Sequence, residues 1–253
     1  MRMISYNILD GGLGRADPLA EVIEAQRADV VALIEADDAD VVAWIANRLD
    51  MDSVRGERRS HAVCLLSRWA IVESINHSVL RDRPPNLLEA TVREPGGREW
   101  TLGLVHLHPR AFEADEAERE RELSVLLEVF EPRRRAGQAH LLVGDFNANS
   151  PVQKIDPRKV KAKTRDAWEQ NGRQIPRRVI RKMLDAGYLD SYHAVHPKLA
   201  ASTGSFTTQQ PGQRVDYIFT YGVDRRALSN AWIEQDRLAK YASDHFPIGL
   251  ELT

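Results

Sequence analysis

Carboxylates, amides and imidazoles recur in this sequence where apolar runs end. Asn7 stands near the close of the run that opens the chain, and Glu35 near the close of residues 29–36. His106 and His108 fall late in the run 99–108, and the run 139–145 ends in Gly144-Asp145-Phe146-Asn147. Asp216 sits among apolar neighbours in Arg214-Val215-Asp216-Tyr217-Ile218-Phe219, and Ser243-Asp244-His245 directly precedes the last apolar run. Groups of this kind are costly to desolvate unless they find partners. If the runs are neighbouring strands, their polar ends converge at one rim, where α/β proteins place their sites. A hard cation such as Mg2+ prefers carboxylate oxygens and keeps several waters. Glu35, with Asp244 or Asn7 nearby, offers it a seat, and no Cys/His zinc spacing competes. A phosphate ester held there would have its developing charge stabilised by metal, histidine and amide donors. It would also meet a base, or a base-oriented water, able to attack phosphorus. Asp145, Asn147, His106, His245 and Asp216 offer those roles.

Each residue alone has a plainer reading. Asn7 could be a turn former before Asp10-Gly11-Gly12, Glu35 a helix cap, His106 a satisfied strand histidine and His108 a loop residue before Pro109. Asp216 could be the partner of Arg214 or Arg225. Their joint occurrence, in this order, outweighs these readings. Gly11-Gly12-Leu13-Gly14 lacks the third glycine of a dinucleotide loop, where Asp17 stands, and is read as a turn beside the site.

The elements that must position these residues begin with a βαβα rhythm. Strands are expected at 2–9 and 29–36, the second a continuous apolar run suited to burial on both faces. Helices are expected from about Pro18 and over 38–50. Four strands then follow, at 61–68, 71–79, 86–94 and 99–108, with Pro95-Gly96-Gly97 as a hairpin turn. A helix over 112–131 opens with Glu113, Asp115 and Glu116 and closes near Arg133-Arg134-Arg135, matching its dipole at both ends. Further on, the pattern predicts a strand at 139–145, a helix at 176–186 and strands at 214–221, 228–234 and 246–252. Arg81-Asp82-Arg83-Pro84-Pro85 reads as a surface turn. Strands interleaved with helices imply a layered α/β fold. No Ser/Gly-rich linker divides residues 1–253, so one domain is expected.

The chain has 253 residues, 43% of them apolar, enough to bury a substantial core. Its single cysteine, Cys64, excludes a disulfide framework and multi-cysteine zinc sites, and its apolar setting marks it as a core residue. No apolar stretch approaches the roughly 20 residues of a membrane span. Met1-Arg2-Met3 runs straight into a strand rather than a signal peptide, so a soluble cytoplasmic protein is expected. The net charge is −2, but residues 153–182 hold eleven Lys/Arg against three acids, leaving −10 elsewhere. Directly following the Asp145/Asn147 motif, this segment could form one wall of a cleft and attract nucleic acid, or pair with the acidic helix at 113–122. Trp168 within it could stack on a base or anchor the segment.

With these residues in place, the sequence resembles the endonuclease/exonuclease/phosphatase superfamily, the deoxyribonuclease-I-like proteins, over nearly its whole length and in order. Ser5-Tyr6-Asn7-Ile8 resembles the first-strand asparagine motif. Leu33-Ile34-Glu35 resembles the metal-binding glutamate motif, with Ile34 where the family usually has Gln. Val105-His106-Leu107 is similar to the strand carrying a phosphate-contacting histidine. Gly144-Asp145-Phe146-Asn147 resembles the most characteristic tetrad, and Arg214–Ile218 and Ser243-Asp244-His245 the two C-terminal motifs. The resemblance implies a four-layered α/β/β/α sandwich of two mixed β-sheets and a Mg2+ or Mn2+ cofactor. It makes Glu35 the chief metal ligand, with Asn7 and Asp244 close by. Asp145 would activate or orient water, which Asn147 steadies together with the phosphate. His245, held by Asp216, would stabilise phosphoryl oxygens, with His106 a second donor. Asn7, Asn147, His106 and Arg214 are expected to face the substrate. Whether His245 or Asp145 is the base stays open. The expected function is metal-dependent hydrolysis of a phosphodiester, as in a nuclease, by a monomer. A phosphomonoesterase on a small or inositol-type phosphate is the alternative, and a non-catalytic binding module of the same fold ranks below both.

Overall fold

In the computed structural model, which describes residues 1–57, 61–79 and 85–253, twelve strands form two six-stranded sheets. The chain opens with β1 (Arg2–Asn7), α1 (Ala16–Ala25), β2 (Val30–Ile34) and α2 (Ala39–Leu49), followed by β3 (Asp52–Gly56), β4 (Val63–Ser67) and β5 (Ala70–Asn76). Next come β6 (Asn86–Arg93), β7 (Glu99–His106), α3 (Glu113–Val129), α4 (Glu131–Arg135) and β8 (His140–Asp145). The remainder comprises α5 (Ala162–Gln170), α6 (Arg178–Asp185), β9 (Leu189–Asp190), α7 (Ser191–Val195), β10 (Asp216–Tyr221), β11 (Leu228–Ile233), α8 (Arg237–Ala242) and β12 (Ile248–Leu252). The first sheet runs β11-β12-β1-β2-β4-β3 and the second β5-β6-β7-β8-β10-β9. Each is mixed: β1–β2 and β7–β8 are parallel pairs in otherwise antiparallel surroundings.

Side-chain alternation along β2 explains the layering. Val30, Ala32 and Ile34 pack between the sheets with Leu102, Leu104, Leu141 and Val143, whereas Val31 and Leu33 pack against Leu19, Ile23, Ile45 and Leu49 of α1 and α2. Leu142 and Phe219 of the second sheet likewise turn outward onto Leu123, Leu126 and Ile180 of α3 and α6. The result is the expected four-layered α/β/β/α sandwich. Ile34 is fully enclosed between the sheets, so a packing role suits that position. Cys64 is buried under the helices, as its apolar setting implied.

Several boundaries differ from expectation. The strand foreseen at 71–79 stops at Asn76, and His77–Val79 forms a 3-10 turn. The helix foreseen over 112–131 ends at Val129. A separate α4 begins at Glu131, with Pro132 in its first turn, where a missing N–H costs nothing, and α4 rather than α3 carries Arg133–Arg135. The turn expected at residues 81–85 falls largely outside the described residues.

Candidate metal and phosphate site

Strand register brings three of the predicted residues into one row. His106 on β7 is paired with Asp145 on β8, and Asp145 with Asp216 on β10. Gly144 permits this close pairing: its φ is +138° and any Cβ there would meet the Val105 carbonyl. Across the interface, β1 and β2 of the other sheet end together, delivering Asn7 and Glu35 to the same rim. Glu35 (φ +57°) and Asn147 (φ +48°) both adopt the left-handed backbone region, uncommon for side-chain-bearing residues and concentrated at sites of function.

The two halves join through Asn7. Its Nδ2 donates to Glu35 Oε1 (3.0 Å) and to Asp145 Oδ2 (3.1 Å), while its Oδ1 accepts from Leu9 N–H (3.0 Å). Asn7 thus stands directly beside Glu35. It offers its amide nitrogen and draws two carboxylates together. Glu35 Oε2 also accepts from Asp10 N–H (2.9 Å), and Asp145 Oδ1 from Asn147 N–H (2.8 Å). Asn147 anchors itself by donating from Nδ2 to the Leu107 carbonyl (3.0 Å).

His245 is held from both sides. Its Nδ1 lies 2.9 Å from Asp216 Oδ2, which also accepts from Ser205 Oγ (2.6 Å), and the Phe206 ring packs 4.6 Å from the imidazole. Its Nε2 faces Asp145 Oδ2 at 3.8 Å and Asp244 Oδ1 at 3.9 Å. His106 Nε2 stands 3.7 Å from Asp145 Oδ2 and 3.9 Å from Glu35 Oε1. Burial alone would depress the pKa of His245, but the Asp216 charge and hydrogen bond, joined by Asp145 and Asp244, lift it to about 10. Burial, reinforced by the Asp216 charge, pushes the Asp145 carboxyl well up against the opposing pull of His245. His245 is thus the cation at neutral pH and Asp145 the group that takes up a proton readily.

The donor set suits a divalent ion. Glu35 and Asp145 bring carboxylate oxygens onto one shared amide, and Asp244 Oδ1 is enclosed without a hydrogen-bond partner among the described residues. The other Asp244 oxygen is occupied by Lys161 Nζ at 3.0 Å, an ammonium that also lies over the Phe206 ring.

These groups line a cavity of about 350 Å³, walled on one side by Lys161, Thr164 and Trp168 at helical spacing along α5. The basic segment is therefore divided. Lys161 reaches the cleft, whereas Arg178 pairs with Glu113 and Glu120, and Lys182 donates to Ser124 Oγ, all on α3. Trp168 is almost fully buried and borders the cavity. Arg214 is a correction. It is fully buried and bonded through both terminal nitrogens to Asp190 (3.0 and 2.7 Å), whose own carboxylate caps α7, so it is absent from the cleft. Asp216 is paired with neither Arg214 nor Arg225. His108 Nε2 contacts Asp115 (2.9 Å) and holds the loop onto α3. Residues at the site that were not singled out from sequence include His61, Ser205 and Phe206. Lys161 carried a signal, as part of the basic run.

Residues 4–245 match the model of the Endonuclease/Exonuclease/phosphatase family, and the chain belongs to that family. It is a hydrolase of phosphoric ester bonds, of a kind that works with divalent metal. Among solved structures, a 3′ phosphatase, NExo, from Neisseria bound to product DNA hairpin superposes with a TM-score of 0.77 at 22% identity, covering 100% of this chain and 99% of the other. The 3′-5′ exonuclease NExo from Neisseria meningitidis gives 0.76 at 21% identity, with 100% and 99% covered. An AP endonuclease from Archaeoglobus fulgidus gives 0.72 at 16%, with the same coverage. No curated protein matches the sequence.

Proposed function

We propose that this chain is a single-domain, monomeric, cytoplasmic phosphodiesterase of the nuclease type that uses Mg2+ or Mn2+. The observation that carries this reading is the junction of Asn7, Glu35 and Asp145 beside the Asp216-held imidazole of His245, in one cleft with a cationic wall. Glu35 and Asp145, with Asp244 to one side, would hold the ion, which when bound would supply positive charge against the phosphoryl oxygens. Asp145 orients the attacking water and accepts its proton, and its base form is restored in solvent. The imidazolium of His245 donates from Nε2 to a phosphoryl oxygen, and Asp216 keeps that proton in place. His106 adds a second donor, and Asn147 orients Asp145 through its backbone N–H. The water oxygen bonds to phosphorus as the bond to the leaving oxygen breaks. That oxygen then takes a proton from solvent, giving an alcohol and a phosphate monoester.

The Lys161–Trp168 wall favours a polyanionic strand over a small phosphate, with an ammonium for a backbone phosphate beside the scissile one. The solved neighbour bound to a product DNA hairpin points the same way. The test is hydrolysis of bis-p-nitrophenyl phosphate, p-nitrophenyl phosphate, inositol phosphates, RNA, and DNA with 3′-hydroxyl or 3′-phosphate ends, with and without EDTA, and with Asp145→Ala as control. Cleavage of the diester and of DNA, abolished by EDTA and by the variant, is expected. Turnover of monoesters alone, or activity that survives EDTA, would overturn the reading.

A further inference from the structure

His61 opens the segment 61–68, expected from sequence only as a strand, yet the fold brings it to the same cleft. Ligand atoms of Glu35, His61 and His106 all lie within 4.8 Å of one another, so one ion can reach all three. The placement of His61 is constrained. It sits at φ +61°, its carbonyl accepts from Asn86 Nδ2, and its ring meets that of His106 edge-on at 5.1 Å. Its Nδ1 is enclosed with no hydrogen-bond partner among the described residues and has Asp37 Oδ2 4.0 Å away. His106 is buried, and its Nε2 is directed at both Glu35 and Asp145.

Two imidazoles change the chemistry of the seat. Mg2+ is a hard ion that prefers oxygen and dehydrates reluctantly. Imidazole nitrogen suits first-row transition ions better than Mg2+, which keeps to oxygen; Mn2+ binds most weakly in that series, so a preference for Mn2+ over Mg2+ is the least the seat should show. We propose that His61 and His106, with Glu35, form a two-histidine, one-carboxylate seat that selects a transition ion such as Mn2+ over Mg2+. The inference rests on the metal-dependent reading above and revises one role in it: His106 Nε2 turns to the ion instead of to a phosphoryl oxygen, and His61 joins it as a ligand.

The full chain, stripped with EDTA and dialysed, would be titrated by calorimetry with Mn2+ and separately with Mg2+, for the wild type and for His61→Ala. Co2+ absorption in the visible range would be recorded for both proteins. The wild type is expected to bind Mn2+ at least about tenfold more tightly than Mg2+, with a Co2+ spectrum of mixed nitrogen and oxygen ligation. In His61→Ala, Mn2+ affinity should fall by about 10- to 100-fold, Mg2+ affinity should change by less than about threefold, and the Co2+ bands should move. The His61 side chain is 44% exposed, so the variant should keep its far-ultraviolet circular dichroism. His61→Gln provides a second replacement if Ala disturbs the fold. Equal wild-type affinity for the two ions, or selectivity and Co2+ bands unchanged on replacement, would overturn the seat while leaving the hydrolase reading intact. A protein that binds neither ion would overturn both.

Discussion

His245 carries the largest consequence of any single side chain in the cleft, because its charge depends on neighbours that can be removed one at a time. Replacing it with alanine should lower kcat/KM by about 10²–10⁴-fold with the fold retained; turnover near the wild-type rate would remove it from the reaction. Asp216→Asn is the sharper experiment. The Asp216 charge and hydrogen bond are the chief forces holding the His245 proton. Without them the alkaline limb of the pH–rate profile, set by loss of that proton near pH 10, should move toward neutrality. An alkaline limb that stays in place would show that Asp216 does not control the proton on His245.

At the scale of elements, α5 and the strand entering β10 behave as two opposite lessons. Lys161 projects from the start of α5 into the cleft, so Lys161→Met should weaken DNA binding and reduce the slope of log affinity against log salt by about one. A slope that does not change would assign the ammonium to Asp244 alone. Arg214 instead neutralises Asp190 in the protein interior. Arg214→Met leaves that carboxylate buried without its cation and should destabilise the fold by about 3–5 kcal/mol in urea titrations. A midpoint equal to wild type would contradict this account. The same elements show what could be read from the sequence. Apolar runs such as 29–36 and 139–145 announced themselves as strands because their faces are buried on both sides. The ends of those strands announced the site. By contrast β3, Asp-Ser-Val-Arg-Gly, is an edge strand with little apolar alternation, and α5 buries only Ala167 and Trp168, so neither carries a periodic signal. His61, Ser205 and Phe206 were invisible as site residues because loops bring them in through tertiary contacts. Arg214 misled for a related reason: its neighbours Val215 and Asp216 belong to a motif, but its guanidinium follows the buried charge of Asp190.

For the whole molecule, acidity and metal are linked. The His245 pKa rises from 6.5 in the unfolded chain to about 10 in the fold, so its contribution to stability is complete below 6.5 and is lost as pH rises through about 10. The pKa of Asp145 is also raised, so the fold accommodates its neutral form and is penalised for its charged form as pH climbs above the ordinary value of 3.8. A cation facing Asp145 offsets that penalty only when the carboxylate is charged. Mn2+ should therefore raise Tm more at about pH 8 than at about pH 5 in thermal melts. Equal shifts at both values would break the link between Asp145 and the ion.

The shared amide of Asn7 has a consequence for folding. Glu35 follows a strand of one sheet and Asp145 ends a strand of the other, so the proposed ion-binding pair exists only while the two sheets are docked. A partly unfolded chain that retains either sheet alone has half a site. The candidate site is in this sense a gauge of cooperativity, and an ion bound there would clamp the seam. In a urea titration, loss of Mn2+ binding should coincide with loss of the near-ultraviolet signal of the packed aromatic side chains, at one midpoint that added Mn2+ moves upward. Metal release at clearly lower urea than unfolding would mean that the rim opens before the sheets part.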